Sequence, residues 1–406
     1  MSLTAAAWQE EIEREWKDGI LRFWMTHAVD EERGGFFGEI AEDGTPNPSA
    51  RRSLVLNTRL LWTFSSAYRT TGDQRYLDMA VRAYRYLTEK FTDPVHGGMY
   101  WMVDADGEPV EDKKQVYGQA FAVYALSEYV RATGSEQALT QSIAIFRNME
   151  RHAYDRVHGG YFEALARDWA RFEDYSLSHH GVKAEKTMNN HLHIMEAYTN
   201  LYRVWPEGEL RQQMTAVIEL TLERIVNGAN GHFHLFFDDA WHVQSDHISY
   251  GHDIEGSWLI TEAADVLGDA GLIERAKEAA VRMAAATLAE GVDADGGLWN
   301  EGTSEGLIDR NKDWWPQAEA MVGFFNAYQL TGEKQYREAA LGAWRFIREN
   351  LVDAQYGEWY WSVTEKGEPL SRIKANPWKC PYHNGRACLE MIERLAHDAG
   401  EQKSAP

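Results

Sequence analysis

Cysteine is nearly absent from this chain of 406 residues, which contains only Cys380 and Cys388. Two cysteines form no disulfide framework, so a small secreted scaffold is excluded and a reducing compartment is expected. The sequence also lacks any run of about 18 apolar residues, which excludes a transmembrane helix. Residues 1–16 are acidic and amphipathic, so we expect no signal peptide and a cytoplasmic location.

Positive charge is scarce as well. The chain has 41 Lys and Arg against 63 Asp and Glu, a formal net charge of -22 at pH 7. Nucleic acids and anionic membranes select for basic patches, so both are excluded as partners. No proline- or serine-rich linker divides the chain. We therefore predict one domain over 1–400, a frayed tail at 401–406, and a monomer.

Aromatic residues, in contrast, are abundant, with 16 Trp, 19 Tyr and 15 Phe. Some must fill a core, but many stand beside polar residues in the sequence. An aromatic ring offers a broad apolar face, which suits the apolar C–H face of a pyranose. The composition therefore favours a neutral sugar as the ligand.

A glycine-rich turn flanked by aromatic residues recurs six times along the chain. The last glycine of each copy is Gly35, Gly98, Gly160, Gly231, Gly297 or Gly357, and successive copies lie 60 to 71 residues apart. A short polar stretch with hairpin signals such as Asp106-Gly107 follows the turn. Such a period indicates a repeat architecture.

Two helices are predicted in each repeat. The first runs, for example, over 116–132 or 253–266, and several first helices stop at a C-cap glycine, namely Gly72, Gly134, Gly268 and Gly332. Second helices cover segments such as 74–91 and 333–350. We predict an all-α fold, an (α/α)6 barrel of six helical hairpins with short β-hairpins in the loops at the mouth. A closed ring is favoured because open arrays need polar caps, whereas both terminal units look ordinary.

Polar and aromatic residues recur where the first helices begin, so they should meet at the mouth of the barrel. Arg59, Gln119, His252, Glu319 and His383 follow the last glycine of their repeats by 21 to 26 residues, and His193 by 33 across an insertion around 177–183. The remaining candidates are Asn57, Tyr117, Asn189, Asn190, His191, Asp253, Glu255, Trp314, Trp315, Trp378, Tyr382, Asn384 and Arg386.

Helical spacing groups some of these residues on common faces. We expect Glu255, three residues after His252, to orient that imidazole and to raise its pKa. His191 has apolar neighbours and is expected in the core. The other pairs that share a face are Asn189 with His193 and Trp315 with Glu319.

Other chemistries have weaker support in the sequence. Adjacent imidazoles at His191 and His193 would diverge by about 200° on a helix, and no HExxH motif or cysteine pair offers a metal site. No glycine-rich nucleotide loop follows a predicted strand. Glu255 and Glu319 could serve a glycosidase, but the histidines would then be unexplained.

Five segments resemble the N-acylglucosamine 2-epimerase family across nearly the whole chain. They are NTRLLWTF at 57–64, MNNHLHIMEAY at 188–198, GHDIEGSW at 251–258, WWPQAEA at 314–320 and WKCPYHNGR at 378–386. The ending of the last segment resembles the branch of the family that acts on disaccharides. The loop 179–186, which precedes the second of these segments, departs from the family in its composition.

The resemblance implies inversion at C2 of the reducing-end glucose in a β-1,4-linked disaccharide such as cellobiose or lactose, with no cofactor and no metal. It implies His252 and His383 as the acid/base pair, with His193 assisting ring opening. The expected substrate-binding residues are Arg59, Tyr117, Asn189, Glu255, Trp315, Glu319 and Trp378.

C2 epimerisation removes a proton beside an open-chain carbonyl and returns it to the other face, and imidazoles suit this task near neutral pH. Three rivals remain at this stage. An aldose–ketose isomerase acting on mannose or glucose would share the enediolate. An (α/α)6 glycoside hydrolase would release monosaccharide, and a sugar-binding protein would bind without proton exchange.

Overall fold

The computed structural model describes residues 4–171, 184–371 and 373–404, and within them the chain forms twelve helices. We number these helices α1 to α12 in chain order. The even-numbered helices are α2 (Leu54–Thr71), α4 (Val116–Thr133), α6 (Met188–Tyr202), α8 (Tyr250–Leu267), α10 (Trp314–Thr331) and α12 (Tyr382–Ser404). The odd-numbered helices are α1 (5–27), α3 (74–91), α5 (136–153), α7 (208–225), α9 (Ala270–Glu290) and α11 (334–351).

The even-numbered helices form the inner ring. Each contacts the next, and α12 contacts α2, so the ring is closed. Most residues of these helices are buried, as expected for helices with neighbours on every side. The odd-numbered helices pack outside them. The predicted (α/α)6 barrel of six helical hairpins is confirmed.

The two ends of the chain together complete the sixth hairpin, because α1 packs against α12. Tryptophan side chains fasten this closure. Trp24 Nε1 donates to Glu358 at 2.7 Å, and Trp344 Nε1 donates to Glu11 at 3.1 Å. Closure therefore leaves no exposed end of the helical array, and the terminal units need no polar caps.

Left-handed glycines end four inner helices, as the sequence predicts. Gly72, Gly134, Gly268 and Gly332 have φ of 69°, 71°, 74° and 72°. Each donates its N–H to the carbonyl four residues earlier. A residue with a Cβ would be strained in this conformation. The last helix runs to Ser404; the tail predicted at 401–406 stays a prediction.

Short antiparallel strands form a rim where the inner helices begin. One three-stranded sheet joins β1 (Arg52–Ser53), β2 (Met102–Val103) and β3 (Pro109–Glu111). A second joins β8 (Ile248–Ser249), β9 (Glu301–Thr303) and β10 (Gly306–Asp309). A third joins β11 (Lys312–Asp313), β12 (Ser362–Val363) and β13 (Pro369–Ser371). Two further pairs join β4 (Lys114–Gln115) to β5 (Ala164–Leu165) and β6 (Lys186–Thr187) to β7 (Phe236–Phe237). Five of these strands lead directly into inner helices, so the rim sets where those helices start.

An ion pair fastens the glycine turn to the rim in five of the six repeats, and its basic side chain is buried in each. The pairs are Asp30–Arg52, Asp93–Lys114, Asp155–Lys186, Asp293–Lys312 and Asp353–Lys374, at 2.6 to 3.0 Å. In the remaining repeat the corresponding positions are Asn227 and Ile248. Both charges are missing together there, which avoids leaving one buried charge without its partner.

Candidate active site

One cavity of about 350 Å³ opens at the rim end of the inner ring, and all six inner helices contribute to it. Its lining contains His193, His252 and His383 together, so the imidazoles predicted from separate repeats meet in one space. The other sequence candidates on its wall are Arg59, Tyr117, Asn189, Glu255, Trp314, Trp315 and Trp378. The insertion at 177–183 and most of the loop 179–186 lie outside the described residues.

His252 is oriented by a hydroxyl, not by a carboxylate. Its Nδ1 lies 2.7 Å from Ser249 Oγ. Ser249 is the N-cap residue of α8, but its side chain caps no backbone N–H. Burial, followed by the charge on His193, lowers the pKa of His252 to about 3. The expectation that Glu255 orients His252 and raises its pKa is therefore wrong.

The other two imidazoles are held by carboxylates. His193 Nδ1 lies 2.9 Å from Glu196, and His383 Nδ1 lies 2.7 Å from Glu319. An ionised carboxylate only accepts, so each imidazole donates from Nδ1 and keeps Nε2 as a proton acceptor. Burial lowers the pKa of both rings, and Arg59 lowers it further. Both histidines are therefore neutral bases near pH 7.

Arg59 is a buried cation with no carboxylate partner among the described residues. Only 3% of the residue is exposed. Its guanidinium donates to the Tyr117 hydroxyl at 2.9 Å and lies over the rings of Phe121 and Tyr382. Arginine stays charged in a protein, and a buried charge without a counterion is costly. Arg59 therefore offers uncompensated positive charge to a ligand that develops negative charge.

Three unpartnered polar atoms of lining residues accompany this charge, the indole Nε1 of Trp314 and two oxygens. Asn189 Oδ1 and Glu255 Oε2 are buried and have no hydrogen-bond partner within the described segments. Both residues line the cavity. Buried polar atoms are normally satisfied, so these two atoms indicate hydrogen bonds supplied by a ligand.

Indole rings form much of the remaining wall. Trp315 lies against His252 and His383, with ring centroids 4.6 and 5.5 Å apart. Trp378 lies against Tyr117 on another part of the wall, at 6.0 Å. Gly251 makes room for Trp315, because a Cβ at that glycine would lie 2.6 Å from the indole.

Four polar residues of the inner helices face away from the cavity instead, and three of them, Gln119, His191 and Asp253, were candidates in the sequence analysis. Gln119, His191, Asp253 and Gln317 are each the fourth residue of an inner helix, and each accepts from the first or second backbone N–H after a glycine turn, at 2.6 to 2.9 Å. They fasten the rim. The sequence prediction of Gln119 and Asp253 as mouth residues is wrong, whereas His191 is structural, as expected.

Glu319 is brought to the site but does not line the cavity. It is fully buried behind His383, and its other oxygen accepts from Trp258 at 3.0 Å. Glu255, Glu319 and His383 carry potential metal ligands within 4.8 Å of one another. However, Arg386 Nη2 donates to both carboxylates at 2.7 Å. The cluster therefore already holds a cation, supplied by the protein itself.

Sequence reasoning missed Ser249 and Glu196 as partners of the histidines. A signal for Glu196 was present, because it follows His193 by three residues, the same spacing that led us to pair Glu255 with His252. No comparable signal identified Ser249, since a serine before a helix predicts a cap. Helix spacing shows which residues share a face, but not which neighbouring helix supplies a stronger partner.

No helix in the described part of the chain is long and apolar enough to span a membrane. The family model for N-acylglucosamine 2-epimerase matches residues 35–387. The chain is 44% identical to a cellobiose 2-epimerase from Bacteroides fragilis over 387 residues, covering 95% of this chain and 98% of that protein.

Solved structures agree with the sequence comparison. A cellobiose 2-epimerase from Bacillus thermoamylovorans superposes with a TM-score of 0.91 at 40% identity, covering 96% of this chain and 100% of that one. A D-mannose isomerase superposes with a TM-score of 0.83 at 22% identity, covering 95% and 97%, which shows a shared fold alone. The chain therefore belongs to the N-acylglucosamine 2-epimerase family.

Proposed function

We propose that this chain is a cellobiose 2-epimerase, which converts the reducing-end glucose of cellobiose to mannose and, in the same way, lactose to epilactose. Identity of about 40% over the full length of proteins with that activity supports the reaction. The observation that carries the mechanism is one cavity lined by three imidazoles and by Arg59, a cation with no carboxylate partner among the described residues. The substrate of this site is a neutral sugar that becomes anionic only during the reaction.

Ring opening comes first, because the proton at C2 is acidic only beside an open-chain carbonyl. A proton leaves O1 and another reaches O5, and His193 is placed at the cavity wall to serve this step. Its Nδ1 is engaged by Glu196, so Nε2 is the nitrogen available for exchange. The step conserves protons and needs no outside reactant.

Epimerisation then moves one proton. One imidazole of the pair His252 and His383 removes the proton from C2, and the electron pair enters the carbonyl to give a cis-enediolate. The other imidazole, after taking up a proton by exchange with solvent, returns a proton to the opposite face of C2, and the first imidazole releases the proton it removed to solvent, so the protons balance. Arg59, with its neighbour Tyr117, stabilises the oxyanion. Oxidation levels change only within the substrate, so the balance requires no redox cofactor.

The remaining wall residues bind the sugar. Asn189 Oδ1 and Glu255 Oε2 lack partners among the described residues, and hydroxyl groups of the hexose would satisfy them. Trp315 and Trp378 offer apolar faces for the two rings of a disaccharide. Glu319 acts through His383 rather than on the substrate, because it is buried behind that ring.

Two rivals are less well supported by this geometry. A glycosidase needs two carboxylates that flank the scissile bond, yet Glu319 does not line the cavity and shares Arg386 with Glu255. A passive binding site gives no reason for three imidazoles with lowered pKa values on one wall. An aldose–ketose isomerase differs only in the carbon that is reprotonated, so experiment must separate it.

The test is incubation with cellobiose and, separately, with mannose in heavy water, followed by NMR of the products. We expect glucosyl-mannose from cellobiose, with deuterium at C2. A ketose from mannose with no epimer from cellobiose would identify the isomerase, and free glucose from cellobiose would identify a hydrolase. Epimer formed without deuterium would contradict an enediolate exchanging with solvent.

A further inference from the structure

A single buried guanidinium connects residues around the catalytic cavity without touching the cavity itself. Arg386 lies in the second turn of α12 and is 1% exposed. Its guanidinium carbon lies 4.8 Å from the centroid of the Trp258 ring and 4.4 Å from that of Tyr382. Such a residue is expensive to bury unless carboxylates offset its charge.

Three carboxylates from three inner helices share this one cation. Nη2 donates to Glu255 Oε1 and to Glu319 Oε1, both at 2.7 Å. Nη1 donates to Glu196, which also accepts from the Tyr382 hydroxyl. Arg386 thus joins α6, α8 and α10 to α12 at the floor of the site.

Two of these carboxylates are the ones that hold the imidazoles His193 and His383. A buried carboxyl group without a counterion would take up a proton and become neutral. Although burial favours the neutral acid, Arg386 and His193 hold the pKa of Glu196 below its usual range. A carboxylate kept ionised fixes the imidazole tautomer, with Nδ1 as donor and Nε2 as base.

We propose that Arg386 is a positioning residue that couples the His193–Glu196 pair to the His383–Glu319 pair, so that both imidazoles present Nε2 to the sugar together. This inference rests on the proposed epimerase function. It goes beyond that function because it assigns the positioning of both histidine–glutamate pairs to one residue, Arg386. His252 is held by Ser249 and makes no hydrogen bond to Arg386 or its three carboxylates among the described residues.

The charged and titratable groups that face His193 and His383 come from all six inner helices. They are Arg59 on α2, Tyr117 on α4, Glu196 on α6, His252 and Glu255 on α8, Glu319 on α10, and Tyr382 and Arg386 on α12. Among them, Arg386 lowers the pKa of both imidazoles, whereas Glu196 raises it for both. Loss of the Glu196 charge is therefore expected to lower the pKa of both imidazoles.

The direct test is NMR titration of the three imidazoles in ¹⁵N-histidine-labelled enzyme, without turnover. We expect Arg386→Met to reduce the population of the Nδ1–H tautomer at both His193 and His383, read from the ¹⁵N shifts, because carboxylates that lose their counterion take up a proton. We expect Glu196→Gln to lower the pKa of His383 as well as that of His193, although only His193 contacts Glu196. His252 should shift less in both variants.

Steady-state kinetics distinguish the effect of the Arg386 charge from the effect of its hydrogen-bond geometry. Arg386→Lys keeps the charge but loses the planar fork, so we expect titrations close to those of the unmodified enzyme and a kcat reduced about tenfold or more. KM for cellobiose should change by less than about threefold, because Arg386 does not line the cavity. Arg394→Met is the matched control. Arg394 lies on the same helix, 6.0 Å from Trp258, but donates to Glu390, Asn326 and Gln329 and to none of the carboxylates that hold the histidines.

An unchanged His383 titration in folded Glu196→Gln would overturn the coupling, as would unmodified kcat in Arg386→Lys. If Arg386→Met fails to fold by circular dichroism, Glu196→Gln and Arg386→Lys still decide the question. A failed epimerase assignment would appear as absent deuterium exchange with the imidazole shifts intact. The two proposals can therefore fail separately.

Discussion

Two positions on the same inner helices, only two residues apart, have different tasks. The fourth residues Gln119, His191, Asp253 and Gln317 bind backbone at the rim, and the sixth residues Arg59, His193, Glu255 and Glu319 face the barrel axis. Two residues turn an α-helix by about 200°, so the two sets lie on nearly opposite faces. Whether a polar residue near the start of an inner helix is catalytic or structural therefore depends on the face of the helix that it occupies.

The largest expected effect on kcat distinguishes His252 and His383, which line the cavity, from His191, which faces the rim. His252→Ala and His383→Ala should each reduce kcat about a thousandfold, in the range for loss of a general acid or base, with an unchanged Tm. The measurement is conversion of cellobiose beside thermal unfolding. Turnover like that of the unmodified enzyme would remove the substituted residue from the mechanism.

His191→Ala is the counterpart and should show the reverse pattern. It leaves the N–H of Tyr161 without its acceptor, which costs about 1–3 kcal/mol in unfolding free energy. We expect kcat within about twofold of the unmodified enzyme, because an outward residue does not touch the sugar. A large loss of kcat at constant stability would abolish the distinction between the two faces.

Next come two buried arginines seven residues apart in the sequence. Arg52 at the rim pairs with Asp30 at 2.6 Å, whereas Arg59 at the axis has no carboxylate partner within the described residues. Arg59→Met should reduce kcat/KM about 100- to 1,000-fold without lowering stability, since an unpaired buried charge is removed. Arg52→Met should cost about 3–5 kcal/mol of unfolding free energy and leave the kcat of the folded enzyme unchanged. Equal losses of kcat/KM in Arg59→Met and Arg52→Met would contradict this difference between the two arginines.

A smaller effect is expected at the aromatic wall. Trp378→Ala should raise KM for cellobiose about three- to tenfold, the value of one aromatic contact, with a smaller change for mannose. Trp344→Ala, in the outer ring and hydrogen-bonded to Glu11, should instead lower Tm without changing KM. Steady-state kinetics on both sugars provide the test, and an unchanged KM for cellobiose would deny Trp378 a stacking role.

The smallest expected effect compares two serines that both precede inner helices. Ser53 caps α2 by accepting from Leu56 at 3.0 Å, while the Ser249 hydroxyl contacts His252 instead of capping α8. Ser53→Ala should cost about 1 kcal/mol of stability, and Ser249→Ala should reduce kcat about three- to tenfold, as for one lost hydrogen bond. Unfolding curves and kcat for both variants test this, and a loss of stability alone at Ser249 would count against its role in positioning His252.

Much of the architecture was predictable because it is periodic. The six glycine turns, the C-cap glycines and the paired helices follow from local preferences that repeat along the chain. The meeting of His193, His252 and His383 was also predictable, since repeats place equivalent segments at one end of a ring. The hydrogen-bond partners were not, as the pairing of Glu255 with Arg386 rather than His252 shows.

By itself, the sequence determined the all-α barrel of six hairpins, the family and the set of side chains gathered at the mouth, because local periodicity and motif spacing are properties of one chain segment at a time. Only the tertiary structure decided which polar residues face the axis, which carboxylate holds which imidazole, and that Arg59 is left without one. Those choices depend on contacts between helices far apart in sequence. An unpaired buried charge is costly, so a partner from a distant part of the chain, as Arg386 is for Glu255, can replace the one nearest along the helix.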